Sequence, residues 1–588
     1  MTPEETLVQN QRVAGELARG LLAAGVKHVI LSPGSRSTPL ALAFHALAAC
    51  TLHVVLDERA AAFVALGIGR ASGVPAVALA TSGSAGANYF PAVVEANAAR
   101  VPMILLTCDR PGELHDCGAP QTMPQRALFG EHVRAAFALP EPDPALASRW
   151  LRNVATRAVS SAVGSPAGPV HLNVPFREPL YLPGAEPIAD DDAAPAVVHR
   201  GRSSLSPSEL AALVESLRNE PSGAIVCGPL APATLDGEEL AYAVAALAAS
   251  LDWPILADAT SALRFGAHDQ TRVITTADTL LGEPRLAAKL RVARILRIGQ
   301  QSTAKSVTRW VSEHADAVTL VCPDGAWLDG GGVAERLVVA EPSLLCRDLA
   351  ASLARGERSD NPTTAAWQTC DRVARAELVR HASVGNWEGR VVHELLAGLP
   401  NGARLHVASS MPIRDLDAFG HATETRIAVT SNRGVNGIDG TVATALGVAL
   451  ASRAKTAALL GDLAFLHDLD GLEAAGALAP HGSPRLVLVV VNNGGGGIFG
   501  ELPIAQHPTA FERLYLTPRP ADLGRVAHGL GLTHQALSAD ALPGALAAAF
   551  ERGGIHVLEV VVSRTDSSER RRLARADAAR LASEVLGS

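Results

Sequence analysis

The chain has 588 residues, 48% of them apolar and 19% charged, with a formal net charge of -8. At roughly 150 residues per unit this length implies three or four domains, and the composition leaves little room for long disordered tails. The acidic balance gives no general attraction for nucleic acid or anionic lipid, the seven scattered cysteines form no zinc or disulfide pattern, and without a leader-like start or an apolar run near ~18 residues a cytoplasmic protein is expected.

In chain order, a helical pattern at 8–22 is followed by short β-branched runs, each closed by Gly, Ser, Asp or Asn and followed by an Ala/Leu-rich helical stretch. Examples fall at 26–31, 77–80, 103–107, 224–226, 295–298, 318–321, 457–460 and 486–491. Continuous apolar strands alternating with helices predict an α/β fold of doubly wound, mainly parallel sheets covered on both faces. Composition breaks at 183–208 and 355–364 read as linkers, leaving expected units at 1–185, 205–355 and 370–588. The Arg-rich stretch 568–586 predicts a solvated terminal helix.

Chemistry-bearing residues sit mostly at the ends of these strands. Ser35 and Arg36 lie in SPGSRSTPL, Arg110 in CDRPGE with Gln121 downstream, Ser410 and Arg414 in SSMPIRD, and Arg433 in SNRGVNGIDG. Arginine suits bidentate carboxylate recognition, so four of them in loops of an acidic protein favour a substrate with several carboxylates. Glu58, at the junction of LHVV and a helical stretch, is either a helix cap or a partly buried acid that exchanges a proton with a bound ring nitrogen. The turn TSGSAG at 81–86 lacks both G-x-G-x-x-G and the Walker lysine, so it reads as a close backbone approach. Gly461-Asp462-Leu463 follows one strand, and Asn492-Asn493-Gly494-Gly495 follows another. Taken singly, Asp462 is a cap and the glycines a turn. Taken together they offer a carboxylate, an amide oxygen and a backbone carbonyl, hard ligands for Mg²⁺ on a diphosphate.

Seven segments in one order, SPGSRSTPL (32–40), DER (57–59), TSGSAGAN (81–88), DRPGELHDCGAPQ (109–121), SNRGVNGIDG (431–440), GDLAFLHD (461–468) and NNGGGGIF (492–499), resemble the thiamine diphosphate-dependent decarboxylase superfamily. Within it they are most similar to the 2-succinyl-5-enolpyruvyl-6-hydroxy-3-cyclohexene-1-carboxylate (SEPHCHC) synthases. The resemblance implies a pyrimidine-binding, a central and a diphosphate-binding domain, in a homodimer or homotetramer with active sites between subunits. It implies that Glu58 activates thiamine diphosphate and that Asp462, Asn493 and the Gly495 carbonyl bind Mg²⁺ or Mn²⁺. Ser409, Ile438 and Leu463 would contact the cofactor. Ser35, Arg36, Arg110, Gln121, Lys305, Ser410, Arg414, Arg433, Ile498 and Phe499 would contact substrate. The implied reaction decarboxylates 2-oxoglutarate and adds the resulting carbanion to isochorismate, in menaquinone biosynthesis. Pro120 before Gln121 and Ser306 after Lys305 depart from the pattern, and the central domain matches weakly, so no cofactor is assigned to it. A relative acting on a neutral 2-oxoacid would have little use for Arg36, Arg414 and Arg433. A non-catalytic relative would lack Glu58 or a metal ligand, and an NAD-binding protein would carry the glycine fingerprint.

Overall fold

Strands buried on both faces need apolar side chains in both directions, which is why the runs in this chain are continuous. In the computed structural model, which describes residues 1–183, 194–218, 220, 222–230, 237–353, 361–479 and 484–587, those runs build three six-stranded sheets. Parts of both expected linkers, 184–193 and 355–360, lie outside the described residues. Strands Ala76–Ala80 and Gly223–Cys227 are buried at every position. The first sheet runs Thr51–Val54, His28–Leu31, Ala76–Ala80, Met103–Asp109, Pro169–Pro175, Ala135–Ala138. The third repeats that order with Ile427–Thr430, Ala403–Val407, Thr456–Gly461, Leu486–Asn492, Ile555–Val561 and Thr533–Leu537. Between them in sequence, the second sheet runs Ala334–Val338, Ala315–Val321, Val292–Ile298, Gly223–Cys227, Ile255–Ala257, Val273–Ile274. Neighbouring strands pair in parallel throughout the three sheets, as the sequence predicts.

The first and third sheets are joined through two helices, Glu58–Ser72 and Thr441–Ser452. Their crossing is made by glycine: a Cβ on Gly67 would stand 2.1 Å from the Thr444 carbonyl oxygen, and one on Gly447 2.1 Å from that of Val64. Backbone against backbone brings Phe63, Leu66, Val442, Leu446 and Phe465 into one apolar core, and Arg59 Nη2 reaches Asp470 Oδ2 at 2.9 Å across the same contact. Since Glu58 opens the first of these helices, the packing fixes where its backbone stands.

The C-terminal helix, Arg564–Gly587, differs from the expected solvated one. Ala574, Ala578 and Ala582, four residues apart, form an inward stripe and join the core that holds Trp367, Cys370 and Ala374 of helix Pro362–Ala382. Arg571 is turned inward as well. All seven cysteines are free, and no helix among the described residues is long and apolar enough to cross a membrane.

Candidate active site

The carboxyl ends of the third sheet carry one group of residues. Strands Thr456–Gly461 and Leu486–Asn492 are neighbours, with Gly461 opposite Val491, so Asp462 and Asn493 emerge side by side. Asp462 is 6% exposed. Burial pushes its carboxyl up to about 6, although the N–H groups of Leu463 and Gly495 favour the charged form. The chain turns at Gly494 and Gly495, with φ of 75° and 131°. A Cβ at Gly495 would stand 2.3 Å from the Leu516 carbonyl oxygen, so only glycine passes there. Asn493 Nδ2 donates to Glu388 Oε1 at 2.6 Å, while Asn493 Oδ1 is buried without a hydrogen-bond partner. The Gly495 carbonyl accepts from Gly497 N–H at 2.9 Å and keeps a second lone pair. A buried carboxylate, an orphaned amide oxygen and a glycine carbonyl suit a hard divalent cation with diphosphate oxygens and water completing its shell.

Beside this group, Ser409 donates to the Asn432 carbonyl at 2.9 Å. Ser410 has φ of 83°, and its carbonyl accepts from Arg414 Nη1 at 2.5 Å. Arg414 and Arg433 are both disfavoured as cations by burial; Asp415 offsets this at Arg414, and Asp258, Glu95 and Asp417 offset it at Arg433, where Arg414 adds repulsion. Arg433 Nε is buried without a partner. Ile498 and Phe499 lie in the turn Gly497–Glu501, Phe499 stacked edge-on to Tyr515 at 5.5 Å. Ile438, partly buried, packs on the core shared by the two helices.

The first sheet carries the second group. Asp57, not Glu58, caps helix Glu58–Ser72, accepting from Ala60 N–H at 3.0 Å. The cap reading therefore belongs to Asp57, and the half-buried Glu58 carboxylate is left for other use, with Asn88 Nδ2 at 3.4 Å from its Oε2. Arg36 is buried: Nη1 donates to the Phe176 carbonyl and Nη2 to Glu178, both at 2.9 Å. Ser35 beside it is exposed. Arg110 Nη1 donates to Ser82 Oγ at 2.5 Å and Nη2 to Gln121 Oε1 at 3.4 Å. The turn at 81–86 closes on Gln121, whose Cα would be 3.2 Å from a Cβ on Gly83. Lys305 is exposed at the start of helix Lys305–His314. Among the described residues, no hydrogen bond or ion pair joins Glu58 to Asp462 or Asn493, so one chain shows two groups in separate sheets.

The neighbours Glu388, Asp415 and Arg571 escape sequence reading: all lie far from Asn493 in the chain, Glu388 and Arg571 are set in no motif, and Asp415 closes SSMPIRD without any local sign of its link to Arg571.

The family model described as thiamine pyrophosphate enzyme, N-terminal TPP binding domain, matches residues 11–128, and that described as middle domain of thiamine pyrophosphate matches 210–407. Curated relatives named 2-succinyl-5-enolpyruvyl-6-hydroxy-3-cyclohexene-1-carboxylate synthase align over nearly the whole chain. That of Geobacillus kaustophilus is 42% identical over 95% of this chain and 96% of its own. That of Chloroflexus aurantiacus is 40% identical over 92% of each, and that of Myxococcus xanthus 39% over 95% and 96%.

Proposed function

The chain belongs to the family of 2-succinyl-5-enolpyruvyl-6-hydroxy-3-cyclohexene-1-carboxylate synthases, and on that premise we propose that it decarboxylates 2-oxoglutarate and joins the remaining fragment to isochorismate in menaquinone biosynthesis. One observation carries the reading: Asn493 Oδ1 is buried without a partner beside Asp462 and the Gly495 carbonyl. Those three oxygens would hold Mg²⁺ or Mn²⁺ and, through it, the diphosphate, with Ser409 and Leu463 alongside. When bound, thiamine diphosphate supplies a carbon nucleophile and an electron sink for decarboxylation.

This chain's side chains do the rest. Glu58 gives a proton to the pyrimidine nitrogen and takes it back. Ile438 would brace the bound cofactor, and Ile498 and Phe499 would keep water from the site. Arg414 and Arg433 with Ser410, and Arg36, Arg110, Ser35, Gln121 and Lys305, face the carboxylates of the two acids, which two neighbouring partly desolvated guanidinium groups favour. The units 1–185, 205–355 and 370–588 serve as pyrimidine-binding, central and diphosphate-binding domains. A second copy completes each site, making a homodimer or homotetramer in the cytoplasm.

Selectivity tests the substrate assignment. Carbon dioxide is expected from 2-oxoglutarate and far less from pyruvate, and Arg433→Met should raise KM for the dicarboxylic acids roughly 10- to 100-fold, the worth of a lost charged hydrogen bond. Equal release from pyruvate would assign the chain to a neutral 2-oxoacid instead.

A further inference from the structure

Asparagine is a poor choice for a metal ligand unless something tells its two ends apart, since the amide oxygen and nitrogen are nearly the same in shape and only their hydrogen bonds distinguish them. Here Asn493 Nδ2 donates to Glu388 Oε1 at 2.6 Å, and Oδ1 is left buried and unpartnered. Glu388 is 5% exposed and opens helix Glu388–Gly398. It is gripped by the C-terminal helix: its Oε2 accepts from Arg571 Nη2, and its N–H donates to Ser567 Oγ at 3.4 Å. Arg571 is fixed in turn by Asp415, with Nε to Oδ1 at 2.8 Å and Nη2 to Oδ2 at 3.1 Å. Three side chains from three separate helices, Asp415, Arg571 and Glu388, thus form a relay of contacts that ends on one amide.

We propose that Glu388, held by Arg571 and Asp415, is a positioning residue that sets the orientation of the Asn493 amide, so that its oxygen faces the metal. This rests on the metal reading above and extends it. The reversed amide would press Oδ1 against the Glu388 carboxylate and turn an N–H toward the cation, two repulsions at once. Hydrogen-bonded partners behind a ligand commonly change metal affinity by about 10- to 100-fold.

The test is a double-mutant cycle read as Mn²⁺ affinity in the presence of thiamine diphosphate, by electron paramagnetic resonance of the free ion, with circular dichroism as a control for folding. Glu388→Gln should weaken Mn²⁺ by about 10- to 100-fold, because the new amide satisfies Arg571 with its oxygen and offers N–H to Asn493. Asn493→Asp should weaken it by about tenfold or more, although it adds a negative charge, because two carboxylates then face each other. Combined, the amide introduced at 388 donates to the carboxylate introduced at 493, and affinity should return to within about threefold of the parent, far from additive. Additive losses would overturn the proposal. If Glu388→Gln does not fold, Asn493→Asp alone decides: tighter Mn²⁺ binding would show charge, not orientation, to govern the site. A parent protein that binds no Mn²⁺ would overturn the metal reading itself, and this inference with it.

Discussion

Glu58→Gln is expected to bind thiamine diphosphate and metal much as the parent does while losing about 10²- to 10⁴-fold in turnover, the range for a positioned general acid. The substitution is nearly isosteric and removes only the exchangeable proton. Asp57 already caps the helix through Ala60 N–H, and the backbone at 58 is set by the glycine crossing of Gly67 and Gly447. Thermal stability should therefore change little, within about 0.5 kcal/mol. Turnover, cofactor titration and melting temperature on one preparation separate these effects. Near-normal turnover would leave Glu58 as an ordinary surface acid.

Asp462→Ala should abolish metal binding at millimolar concentrations and lower thiamine diphosphate affinity by about 100-fold or more, because it deletes one of three protein oxygens and the charged one among them. The fold should persist, since the substitution relieves the burial of a carboxylate. The same carboxylate gives a pH signature in the parent. Burial pushes it up to about 6, and binding a cation requires the proton to leave. Metal affinity should therefore fall roughly tenfold per unit as pH drops below that value and level off above it. Mn²⁺ titrations between about pH 5 and about pH 8 check the slope; an affinity independent of pH would remove Asp462 from the ligand set.

The inner strands were legible because both of their faces are covered: a run such as 486–491 has no other use for six apolar residues in sequence, whereas edge strands such as Ala135–Ala138 and Thr533–Leu537 keep exposed residues and no such run. Strand ends closed by Gly461-Asp462 and Asn492-Asn493 announced the candidate site because polar residues after a buried parallel strand arrive at its open edge. What stayed hidden was set by tertiary contact. Nothing local shows that Asp57 takes the capping hydrogen bond and leaves Glu58 free. Arg36 reads as a loop cation, yet its guanidinium also bonds Phe176 and Glu178, some 140 residues away. The terminal stretch 568–586 looks solvated by composition, and only its packing on helix Pro362–Ala382 reveals the alanine stripe and the inward Arg571. Glu388 is one ordinary acid in a helix until Asn493 is placed beside it.

One measurement bears most directly on the proposed activity. Purified protein is mixed with thiamine diphosphate, Mg²⁺, 2-oxoglutarate and isochorismate, and carbon dioxide release is followed together with the disappearance of isochorismate. The expected result is equimolar progress of the two, lost when either the cofactor or the metal is left out. Isochorismate that persists while carbon dioxide is released, or its consumption without thiamine diphosphate, would contradict the proposed function.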